Sequence, residues 1–288
     1  MDQWFGLAVR PDENKVRLEE MLFDRFRLLS KLYLREVIKS EKCEVNGRPE
    51  NRGRRLRTND FVEITLDPLR QNSMVPEDIR LEIVFEDADL IVINKPTGML
   101  SHPSHREKTG TVLNALSHHL NRHGQAAYIR PGLIHRLDKD TSGLLVAAKN
   151  TRAHARVGIQ FEKKKVEKKY LALVEGTVVD DEGTITAPIG RYPDEKLWSV
   201  KPDGKRSETR FRVRERFADA TLLEMEPVTG RTNQLRIHSA DIGHPIVGDT
   251  QRGGREFARL CLHSYKIVFR HPTTGAAVTL EQPVEFGY

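Results

Sequence analysis

The residues best suited to chemistry fall in one short string, His135-Arg136-Leu137-Asp138-Lys139-Asp140-Thr141-Ser142-Gly143. Two apolar runs, Leu133-Ile134 and Leu144 to Ala148, flank it and read as buried strands, with Thr141-Ser142-Gly143 folding the connection tightly. A carboxylate at Asp138 then stands on a rigid support and faces a cleft, where a nucleophile or general base is usually placed. The competing reading is an Asx turn, in which Asp138 only caps the backbone. Other chemistries find little support. The chain contains no Gly-x-x-x-x-Gly-Lys-[Ser/Thr] loop and no His-Glu-x-x-His pair, and the adjacent His118 and His119 cannot share one helical face. Cys43 and Cys261 make no Cys-x-x-Cys pair, so both read as reduced thiols, and neither a metal nor another cofactor is expected.

The string resembles the signature of the RluA-type pseudouridine synthases, in which the Asp after Arg-Leu is the catalytic residue. Asn94-Lys95-Pro-Thr-Gly98 with Ser101-His102-Pro103 matches that family's first motif, and Lys168-Lys-Tyr170 fits its active-site Tyr. Val228-Thr-Gly-Arg231-Thr-Asn-Gln-Leu-Arg236 resembles its third motif, whose Arg after Thr-Gly pairs with the catalytic carboxylate. The resemblance runs from about Leu81 to the C-terminus. It departs at Asn233, where the family usually has His, and near Gln251 and Arg252, where an aromatic is missing.

The resemblance implies that a uridine in RNA becomes pseudouridine, with no redox change and no water entering. Asp138 would act as nucleophile on the anomeric carbon or as base on the sugar, and Arg231 would keep it ionised. Extruding the nucleotide costs a few kcal/mol. Arg136 would fill the gap in the RNA, Tyr170 would stack on the uracil, and Leu137 and Leu262 would keep water out. His135, Thr141, Lys95 and His102 complete the expected substrate contacts.

The elements that must carry these residues are legible in outline. With 288 residues, 38% of them apolar, the chain can hold a large domain and a small one, and its formal charge of +6 favours a polyanionic partner. Leu18, Met21, Leu22 and Phe26 recur at helical spacing, and a second helix follows with Ser30 as N-cap and Leu34, Val37 and Ile38 inward. Cys43-Glu-Val45, the Asn46-Gly47 turn and Phe61 to Ile64 read as paired strands. Arg48, Arg52, Arg54, Arg55 and Arg57 surround a single acid, Glu50, and suit phosphates. This stretch resembles the small S4-type RNA-binding domain.

The expected organisation is an extension over 1–15, an S4-like domain over 16–67, a linker over 68–79 and a catalytic domain over 80–288. In the last, hairpin signals outnumber strand-helix-strand crossovers, so an α+β fold with a mixed, mostly antiparallel sheet and flanking helices is expected. Lys163, Lys164, Lys165 and Lys168 form a second basic patch. The start of the chain lacks the character of a signal peptide and no eighteen apolar residues run together, so a cytoplasmic protein without membrane contact is expected, a monomer by default. The S4-like module favours large-subunit ribosomal RNA as substrate over tRNA. Two rivals remain at this level: a glycosidase using Asp138 and Asp140, and a non-catalytic RNA-binding or ribosome-assembly protein.

Overall fold

The computed structural model describes residues 2–26, 29–68, 75–104, 106–122, 129–192, 195 and 197–288, and the chain divides into two compact units. One comprises Met1–Glu77, Pro103–Thr109 and Ser117–Arg130; the other comprises Asp78–His102, Gly110–Leu116 and Pro131–Tyr288. Part of the expected linker, residues 69–74, lies outside the described residues.

In the smaller unit, β1 (Gln3–Ala8) is followed by α1 (Leu18–Arg25), α2 (Lys31–Lys39), β2 (Cys43–Val45), β3 (Arg48–Pro49) and β4 (Phe61–Leu66). Helix α2 starts where read: the Ser30 hydroxyl accepts the Tyr33 N–H at 3.1 Å, a cap worth about 1 kcal/mol. Leu34, Val37 and Ile38 are buried against Leu18, Met21 and Leu22 of α1 and Val62, Ile64 and Leu66 of β4. Asn46 and Gly47 both take positive φ, 52° and 72°, as a tight hairpin between twisted strands requires.

The supposed extension is a correction. Gln3 to Ala8 pairs antiparallel along β4, from Gln3↔Leu66 to Ala8↔Phe61, and is a full strand of the β1-β4-β2-β3 sheet. Only Phe5 and Leu7 turn towards the core, and Gly6 between them weakens the alternation that would have marked the strand.

In the larger unit, β5 (Glu82–Glu86) and β6 (Leu90–Lys95) form a hairpin whose turn is held by Asp87, its carboxylate accepting the N–H groups of Asp89 and Leu90. After α3 (Val112–His119) come β7 (Gly132–Leu133), β8 (Ser142–Ala148), α4 (Thr151–Glu162), β9 (Glu167–Glu175) and β10 (Glu182–Thr186). A small pair, β11 (Ile189–Gly190) and β12 (Ser199–Val200), precedes β13 (Glu208–Arg216), β14 (Ala220–Pro227), α5 (Gln234–Asp241), β15 (Leu262–Arg270) and β16 (Ala277–Glu281).

Among the described residues, ten of these strands join in one sheet of order β10-β13-β14-β9-β15-β8-β6-β5, with β16 on β15 and β7 on β8. Only β8 and β15 run parallel, so the sheet is mixed and mostly antiparallel, and the fold is α+β as expected. Strand β8 is buried along its whole length, and Leu144 and Val146 pack with Leu90, Val92 and Ile267 against Ala153 and Val157 of α4. Gly143 makes the parallel junction possible. Its φ is +111°, and a Cβ there would lie 2.3 Å from the Ser264 carbonyl oxygen, so any side chain would push β8 off β15 immediately after the Asp138 loop.

Candidate active site

The loop from Arg136 to Thr141 joins β7 to β8, and its backbone is tied down by the segment that follows β6. Ser101, itself buried, donates its hydroxyl to the Leu137 carbonyl at 2.7 Å and accepts the Leu137 N–H at 3.2 Å. The Thr97 hydroxyl donates to the Asp140 carbonyl at 2.7 Å. Lys95 donates from one ammonium to the carbonyls of Pro96 (2.7 Å), Met99 (2.7 Å) and Lys139 (2.9 Å). Thr141 closes the turn with its N–H on the Asp138 carbonyl. The backbone on both sides of Asp138 is thus fixed, which is what a catalytic group needs from its support.

Lys95 is a correction to the expected substrate contacts. It has no exposure, and its ammonium is occupied by three carbonyls. Burial drives its pKa down to about 8, against the pull of Asp140 and Asp138. His135 also turns its polar edge inward: Nε2 accepts the Val146 N–H at 3.1 Å, and the ring stacks on Phe161 with centroids 4.8 Å apart. Burial lowers its pKa to about 3, so the imidazole is neutral and contributes a ring wall to the cleft.

A cleft of about 680 Å³ opens above the loop, and Arg136, Leu137, Asp138, Thr141, Tyr170 and Leu262 all line it. Burial raises the pKa of Asp138; Arg136, then Arg236 and Lys95, and the Asn233 N–H work in the opposite direction. Tyr170 is 9% exposed, and burial lifts its phenol to about 12 in spite of a hydrogen bond with Ser264, the charge of Asp138 adding to the rise. The phenol is therefore neutral, and the side chain lines the cleft. Arg136 is exposed, with Nη1 3.4 Å from Nε2 of His102.

Arg231 does not pair with Asp138. Helix α5 starts only at Gln234, three residues beyond Arg231, after Asn233 takes the left-handed conformation (φ 54°, ψ 23°). The Gln234 side chain organises the turn before it, accepting the Thr229 hydroxyl and the Arg231 N–H and donating to the Glu208 carbonyl and the Thr209 hydroxyl. Arg231 consequently precedes the helix and is exposed, donating from Nε and Nη2 to the Arg206 carbonyl. The cation that α5 directs towards Asp138 is Arg236, 8% exposed and held by Asp249 through bonds of 2.7 and 2.6 Å.

Sequence reasoning missed Arg236, Asp249 and Ser101 as site-building residues. Asn233 was the available signal, since Asn tolerates the left-handed conformation that breaks the chain just before α5. Of the basic patches, Lys163, Lys164 and Lys165 are exposed, Lys164 and Lys168 line the cleft, and Lys168 sits 5.7 Å over the Phe161 ring. In the smaller unit Arg48, Arg52, Arg55 and Arg57 are exposed, while Arg54 is half-buried and 3.5 Å from Glu50.

The loop, its cleft and the sheet beneath them fall in a stretch of the chain that is similar to known proteins. Residues 89–241 fit the family model described as RNA pseudouridylate synthase. The chain belongs to that family. It is 38% identical to an uncharacterized RNA pseudouridine synthase of Bacillus subtilis, YlyB, over 96% of this chain and 93% of the relative. It is 35% identical to ribosomal large subunit pseudouridine synthase D of Xanthomonas campestris, over 99% and 90%. Among solved structures, human RNA Pseudouridylate Synthase Domain Containing 1 matches with a TM-score of 0.60 and 28% identity, over 72% of this chain and 85% of that one. As a pseudouridine synthase the protein is an isomerase. No described helix is long and apolar enough to cross a membrane.

Proposed function

We propose that this synthase isomerises uridines in large-subunit ribosomal RNA, with Asp138 as the catalytic carboxylate. The observation that carries the chemical half is the placement of Asp138 on the pinned loop, lining one cleft with Tyr170, Arg236 and the exposed Arg136. The choice of RNA is supported by relatives named ribosomal large subunit pseudouridine synthase D in three species, 35%, 36% and 37% identical over 93% or more of this chain.

In this reading the uridine leaves its stack and Arg136 fills the space. Uracil lies against the Tyr170 face. Asp138, ionised, attacks the anomeric carbon or removes a proton from the sugar, and the bond from N1 to C1′ breaks with its electron pair staying on uracil. The detached base turns and C5 bonds to C1′ as the Asp138–C1′ bond breaks or, on the other route, as the sugar regains its proton; C5 then releases the proton it carried and N1 takes one up, so no atom is gained or lost overall. Leu137 and Leu262 close the apolar side, because water reaching the activated sugar would end the reaction as hydrolysis. The glycosidase alternative requires free uracil as product. The smaller unit, with its exposed arginines, would hold RNA as an S4-type domain does, and the enzyme would work in the cytoplasm as a monomer.

The test uses ribosomal RNA and tRNA transcribed with tritium at C5 of uracil. Release of tritium from large-subunit RNA at mapped positions, without free uracil, is expected. Release from tRNA alone would remove the ribosomal assignment, and free uracil would remove the isomerase chemistry.

A further inference from the structure

With its guanidinium away from Asp138, Arg231 has a charge that the chemistry does not use. Nε and Nη2 are both held at 3.3 Å by the Arg206 carbonyl, a neutral acceptor that orients the group without cancelling its charge. Nη1 has no partner among the described residues. Arg206 and Arg210 approach the two oxygens of Glu208 at 3.5 and 3.9 Å, and their side chains are 82% and 58% exposed. Two guanidiniums therefore share the Glu208 carboxylate, and Arg231, held by a carbonyl, makes no ion pair with an acid among the described residues. Glu226, the cross-strand partner of Arg210 and a lining residue of the same cleft, has Lys168 as a further cationic neighbour. Arg210 and Arg231 line the same cleft as Asp138.

We propose that Arg206, Arg210 and Arg231 form a phosphate clamp on the rim of the cleft, taking the RNA backbone beside the uridine that enters. The inference rests on the reading of RNA as substrate. A guanidinium already fixed by a carbonyl loses little freedom when it grips a phosphate, and its planar edge suits two phosphate oxygens. Such interactions act on bound substrate and transition state alike, so they set KM and leave kcat unchanged.

The test compares wild type, the triple variant R206Q/R210Q/R231Q and E208Q on an unmodified large-subunit RNA transcript, measuring Kd over a range of salt alongside tritium release. The triple variant should show a slope of log Kd against log salt that is shallower by about 0.7 for each single-strand phosphate it no longer neutralises, with raised KM and retained kcat. E208Q should bind more tightly, a gain that a damaged fold would not give. An unaltered slope in the triple variant while wild type turns over overturns the clamp alone, and so does a fall in kcat at saturating RNA. A shallower slope with no turnover even in wild type supports the clamp and overturns the isomerase assignment on this RNA.

Discussion

Replacing Lys95 with Met tests whether the Asp138 loop is held from below. Three hydrogen bonds from a charged donor are removed, each worth roughly 1.5–3 kcal/mol, so the gross loss is about 4.5–9 kcal/mol. Against it stands the cost of burying the ammonium. A pKa drawn down from 10.5 to about 8 corresponds to about 3 kcal/mol. The net loss should be about 2–6 kcal/mol, measured as a lower urea midpoint at neutral pH.

The same side chain leaves a pH signature. Its folded pKa is below its unfolded one, so between about pH 8 and 10.5 the unfolded chain binds more protons, and wild-type stability gains from this group as pH rises through that window. K95M lacks that gain, so the stability gap should widen above pH 8. Activity should fall further than stability, because a shift of about 1 Å in a catalytic group costs on the order of 100-fold. A K95M enzyme with wild-type melting and turnover, or a gap that does not change with pH, would refute the tether.

Other expectations follow from the same geometry. Because burial raises the Asp138 pKa, activity should fall on the acid side at a higher pH than an unperturbed aspartate would give, and R136M should move that limb higher by removing the foremost attractive charge; the pH profile of kcat/KM measures both. R236M should strip Asp249 of its bidentate partner and leave that buried carboxylate only the distant Arg252, Nε at 4.0 Å, costing about 3 kcal/mol in urea unfolding, whereas R231M should leave the acid limb in place. G143A should destabilise the enzyme beyond the usual range for a surface change, since its Cβ meets the Ser264 carbonyl; thermal melts of the variant decide it. Y170F should retain most RNA affinity while Y170A loses about 1–3 kcal/mol of stacking, read from Kd for an RNA trapped by an unreactive uridine analogue.

The Asn46-Gly47 hairpin, the Ser30 cap and the buried β8 were legible because each is a local pattern with a local cause. The Asp138 string was legible for a different reason: nine adjacent positions carry its resemblance. What could not be read were partnerships across the chain. Lys95 looked like a cation at a strand end, and only the folded loop shows its ammonium on the Lys139 carbonyl forty-four positions away. Arg231 and Arg236 stand five residues apart, and which of them approaches Asp138 depends on where α5 starts. That start is set by Gln234 reaching Glu208 and Thr209 on β13. Strand β1 was missed because its long-range pairing to β4 exceeds what Phe5 and Leu7 alone advertise.

The central claim is that the Asp138 carboxylate performs the isomerisation while other groups bind and orient the RNA. Single-turnover tritium release by Asp138→Asn, measured beside its Kd for the same transcript, tests this most directly. The account expects Kd close to wild type and no detectable release. Release at the wild-type rate would contradict it.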